Sequence, residues 1–86
     1  MTMPETRIGE VVHYFSNISV AVLNLSQILR VGDSIRITGD TTDFHQIVES
    51  MQVQHEDVQE GQPGQEVAIK VEGRVRPGDF VCQPSE

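Results

Sequence analysis

Three histidines, one cysteine and a single lysine are the side chains with which this 86-residue chain could do covalent or metal chemistry. Zinc sites are built from histidine and cysteine ligands that usually come in local pairs about two to five residues apart. His13, His45 and His55 each stand alone, and His55-Glu56-Asp57 is not a zinc pattern. A phosphate-cradling loop needs glycines followed by a lysine. Lys70 lies in a strand pattern with no such loop before it. Cys82 falls in the last strand pattern, where a thiol is expected to be buried and structural rather than nucleophilic. Asp40 and Asp43 read as loop chemistry, with Asp43 capping a turn. From these residues no catalytic site, no metal and no cofactor is expected.

What remains is recognition. His13-Tyr14-Phe15 is an aromatic step followed by the small polar residues Ser16 and Asn17, so it should stand at a strand end. Only one side parity of that step can be buried, which leaves aromatic surface for a partner. Arg74 and Arg76 form a close basic pair on the loop before Pro77. They suit a partner carboxylate or phosphate, or the chain's own acids. His13, Tyr14, Phe15, Arg74 and Arg76 are therefore the candidate partner-binding residues.

The charge balance narrows the partner. Thirteen acids against six bases give a net charge of −7, and the stretch from Ile37 to Ile69 has seven acids and no Lys or Arg. Nucleic-acid binding draws its affinity from phosphate contacts, so direct binding of RNA or DNA is not expected. One cysteine excludes an internal disulfide and fits a reducing compartment. No apolar run is long enough for a signal peptide or a membrane span, which makes the cytoplasm the expected location and a membrane partner unexpected.

The elements that must hold these residues read as strands. Val- and Ile-rich runs alternate with Gly, Pro, Asn and Asp clusters. Arg7–Phe15 is apolar on both parities, and Ile18–Leu25 follows a turn at Asn17. Ile35 and Ile37 should face inward while Ser34, Arg36 and Thr38 face out. Phe44–His55 is the longest candidate, with Phe44 and Val48 on one face and Met51 and Val53 on the other. A β-bulge near Glu49-Ser50 would reconcile the two, and a helix is the competing reading because Phe44, Ile47, Val48 and Met51 also have helical spacing. Val67, Ile69 and Val71 alternate against Ala68, Lys70 and Glu72, and Phe80–Gln83 closes the chain. Gly32-Asp33 and Gly78-Asp79 mark tight corners, where Gly takes positive φ and Asp bonds back to the turn. The sum is an all-β fold: a small antiparallel closed β-barrel of about six strands. It spans residues 7–83, with tails at 1–6 and 84–86, and its core includes Ile35, Ile37, Val53, Val67 and Ile69.

Several stretches resemble known families. Leu29–Gly39, Val48–Met51, Pro63–Ile69 and Pro77–Val81 resemble domain 2 of the elongation factor Tu family, a β-barrel that follows a GTPase domain. Ile8-Gly9, His13-Tyr14-Phe15, Thr41–Phe44, Ser50-Met51-Gln52, His55 and Val75-Arg76-Pro77 are similar to the C-terminal barrel of the collagenase-like peptidase family. Neither the GTPase nor the peptidase catalytic domain is part of the resemblance. It therefore implies a free-standing, non-enzymatic accessory module that contacts a protein or ribonucleoprotein partner. A translation-linked tRNA- or ribosome-binding domain is the alternative. A small metal-binding protein stays open only if the fold gathers His13, His45 and His55.

Overall fold

The computed structural model describes residues 6–83, so all of the expected tails except Thr6 lies outside the described residues. Ten strands occur among the described residues: β1 (Thr6–Phe15), β2 (Val20–Leu25), β3 (Leu29–Arg30), β4 (Ser34–Thr38), β5 (Asp43–Ile47), β6 (Met51–Val53), β7 (Glu56–Asp57), β8 (Glu60–Gly61), β9 (Glu66–Lys70) and β10 (Phe80–Gln83). No helix is present among the described residues. Eight strands form one antiparallel sheet in the order β5-β4-β10-β1-β2-β9-β6-β7, and β3 pairs with β8 apart from it.

The strand count exceeds the expected six because the long Phe44–His55 candidate breaks into β5 and β6 and because three two-residue strands, β3, β7 and β8, form outside the candidates. Val48, Glu49 and Ser50 leave the ladder between β5 and β6. The break does what a bulge was expected to do: Val48 and Met51, on opposite parities, are both buried. Val48 is tied down from outside its strand, accepting from the Gly32 amide and donating to the Asp33 carbonyl. True register shifts occur instead in β1, between Arg7 and Gly9 against β10 and between Val11 and His13 against β2. They explain the apolar residues on both parities there. Ile8 and Val11 would point to opposite faces of a regular strand, yet both are buried.

The corners follow one recipe. Arg30–Asp33, Gln62–Gln65 and Arg76–Asp79 each close by a bond from the fourth amide to the first carbonyl. Gly32, Gly64 and Gly78 supply the positive φ at the third position, as a type II turn requires. The fourth side chain then bonds back: Asp33, Gln65 and Asp79 accept from the amides of Arg30, Gln62 and Arg76.

The core joins Ile8, Val11, Leu23, Leu25, Leu29, Ile35, Ile37, Val48, Met51, Val67, Ile69, Val75 and Val81. Ile35, Ile37, Val67 and Ile69 are buried as expected. Val53 is only half-buried, because it sits where β6 turns away from its neighbour.

The expected closed ring of hydrogen bonds is not made by strands. No ladder joins β5 to β7, the two ends of the strand order. A side chain crosses from β5 to the end of β9 instead. The buried Gln46 donates through Nε2 to the Lys70 carbonyl at 2.9 Å and accepts through Oε1 from the Glu72 amide at 2.8 Å.

Candidate functional site

The β1–β2 hairpin carries the aromatic step to one end of the molecule. Its residues alternate, as a strand demands. Tyr14 is half-buried against the core, while His13 and Phe15 face solvent with ring centroids 6.4 Å apart. Phe15 is 48% exposed, and Ile18 at the hairpin tip is 58% exposed. Segment 71–79 begins where the Val71 amide donates to the Ser19 carbonyl and ends where the Gly78 amide donates to the Val11 carbonyl. Arg74 and Arg76 thus belong to a stretch that flanks the C-terminal half of β1. Both are exposed, and among the described residues neither side chain meets a carboxylate. Arg76 also lines a 220 Å³ cleft with Asp40, Thr41 and Pro77.

The acids pair elsewhere. Asp43 takes a two-pronged contact from Arg36 at 2.8 and 2.9 Å, and these hydrogen bonds hold its carboxyl below the usual range. Glu60 is likewise held low by hydrogen bonds from Arg30, at 2.7 Å, and from Gln62. The three histidines stay on separate elements, β1, β5 and the β6–β7 turn. No group of three metal-ligating side chains forms among the described residues.

Sequence reasoning missed a 720 Å³ groove on the outer face of β2, β9 and β6. Val22 and Ala68 line it alongside the amide side chains of Asn24, Gln52, Gln54 and Gln65. Gln54 and His55 form its hairpin wall. Both have positive φ, 52° and 67°. Two left-handed residues make the tight turn that suits the twist of a two-residue hairpin, but Asn-Gly is the pair that does so cheaply. Gln-His carries no such signal, so the sequence read on through the turn as strand.

Comparison with known proteins places the fold. No family model matches the chain. The fold is that of the C-terminal domain of a putative U32 peptidase from Geobacillus thermoleovorans. One crystal structure of that domain, 21% identical, matches with a TM-score of 0.85 over 90% of this chain and 98% of that one. A second, 20% identical, gives 0.86 over 94% and 93%. In sequence, the chain is 41% identical over 75 residues to an uncharacterized protease of Methanocaldococcus jannaschii, covering 86% of this chain and 18% of the relative. It is 38% identical over 80 residues to a collagenase of Porphyromonas gingivalis, covering 91% of this chain and 22% of that protein. The chain thus spans about a fifth of the length of these curated relatives.

Two expectations are corrected by these findings. The translation-factor module gives way to a domain shared with protease-family proteins. Gly-Asp corners and short strands, which carried the elongation-factor resemblance, are what any tightly turned small β domain needs. The more particular stretches, His13-Tyr14-Phe15 and Thr41–Phe44, had pointed to the peptidases. The expectation of a non-enzymatic protein is overturned as well, because the relatives are named as a protease and a collagenase.

Proposed function

We propose that this chain takes part in proteolysis, as a β domain of the kind found at the C-terminus of U32 peptidases, and that its aromatic end contacts another polypeptide of the protease. The observation that carries this reading is the 41% identity to a protease over 86% of the chain. The collagenase relative points to collagen-like polypeptide as the substrate class of the assembled protein. Exposed Phe15 and Ile18, with Arg74 and Arg76 that meet no carboxylate among the described residues, suit a protein surface with apolar and acidic groups. In this reading the sheet works as a barrel, completed between β5 and β9 by Gln46.

The test is affinity purification of the tagged chain from its native cells. A protease-family polypeptide should come with it, together with gelatin-cleaving activity. Phe15→Ala with Arg76→Ala should lower that recovery at least about tenfold and leave the melting temperature unchanged, since both side chains are exposed. Recovery of ribosomal proteins without a protease, or equal recovery by the double variant, would overturn the reading.

A further inference from the structure

The groove exists because one ladder stops early. β6 and β9 pair only at Met51↔Ile69 and Gln52↔Ala68. That register, continued, would set Val53 opposite Val67 and Gln54 opposite Glu66. Gln54 and His55 instead swing the chain into β7. Backbone groups alternate sides along an antiparallel strand. The Gln65 carbonyl accepts from the Leu25 amide on the β2 side. By that alternation the amide and carbonyl of Glu66 face the space that β6 has left. A strand edge of this kind is where an extended chain adds itself.

The surroundings fit such an occupant. The small side chain of Ala68 leaves depth beside Val22 on the floor. Asn24 and Gln54 make no side-chain hydrogen bond among the described residues and can answer a passing peptide group. Glu66 contributes a carboxylate, and neither Lys nor Arg lines the groove. The next strand out, β7, is Glu56-Asp57. In a domain of net charge −7 this face repels phosphate backbones and attracts cations.

We propose that the groove binds an extended, basic polypeptide segment, which adds as a strand along Glu66 with its Lys or Arg side chains toward Glu66 and Asp57. The inference goes beyond the protease reading and is separable from it. Peptide binding to the 86-residue chain can fail while the protease is still recovered, and the reverse.

The probe is a fluorescent peptide of about eight residues, alternating lysine with valine so that one face meets the sheet. A counterpart alternating glutamate with valine serves as the second probe. Anisotropy should show saturable binding of the lysine peptide that weakens as salt rises. Ala68→Tyr, which fills the groove without changing charge, and Glu66→Lys should each weaken it at least about tenfold. Hydrogen exchange supplies a readout that needs no variant: the Glu66 amide should slow when the lysine peptide is bound. Equal binding of the glutamate peptide, full binding by Ala68→Tyr, or an unprotected Glu66 amide would each sink the proposal.

Discussion

Replacing Gln54 by Asn and His55 by Gly should stabilise the protein, although neither side chain is in its core. Both residues hold the left-handed conformation, at φ 52° and 67°, which costs an L-residue with a full side chain about 1–2 kcal/mol. Asn tolerates that region better than Gln, and Gly has no penalty there. Against the relief stands the greater freedom of glycine in the unfolded chain, about 0.5–1 kcal/mol. The balance is a net gain of about 1 kcal/mol, which for a domain of this size raises the melting point by roughly 4–8 °C. Urea and thermal unfolding read the change, with Ala68→Gly as the contrast. Position 68 is in the middle of β9, where glycine weakens a strand by about 0.5–1 kcal/mol. If the double variant melts at or below the parent, the hairpin does not carry the strain ascribed to it. If it gains stability but binds the lysine peptide less well, the strain is retained because it shapes the groove wall.

Two further outcomes follow from named contacts. Gln46→Leu keeps the volume but strands the buried Lys70 carbonyl and Glu72 amide; denaturant unfolding should show a loss of about 2–4 kcal/mol. Asp43 and Glu60 have carboxyls held below their usual range by their arginine partners. The stability they lend is therefore present above the unfolded-state value of about 4 and is lost as pH falls through the lower folded values. Urea midpoints measured from neutral pH down to about pH 3 should show this decline, and Arg36→Met should flatten part of it. Asp43 and Glu60 are in contact with solvent, so the effect is small and salt should shrink it further.

Much of the fold was legible because local chemistry decided it. Ile35-Arg36-Ile37 and Val67-Ala68-Ile69 alternate over their whole length, and both strands bury the expected face. The Gly-Asp corners were readable because few residue pairs can both take positive φ and bond back to the turn. The breaks were less so. The parity slip in Phe44–His55 did signal the departure at Val48–Ser50, but the register shifts in β1 depend on what that strand pairs with, and that information is spread over the partners. Gln46 shares the face of Phe44 and Val48, but nothing local shows that its amide bonds across to Lys70 and Glu72 where β5 ends the sheet. Of the two surfaces, the aromatic step was visible from its residue types. The groove was invisible, being made by backbone that diverges at residues without turn signals.

The pairing of Thr6 with Gln83 has a mechanical meaning. The first and last strands of the domain are neighbours, and the chain enters and leaves side by side. Tension applied across those two points pulls β1 and β10 apart from one end. The cross-strand bonds lie perpendicular to the strands, so they are loaded one at a time and yield in succession, like a zip. A domain mounted this way opens under a small force if it is pulled from both ends. Held through one end alone, it carries no tension at all.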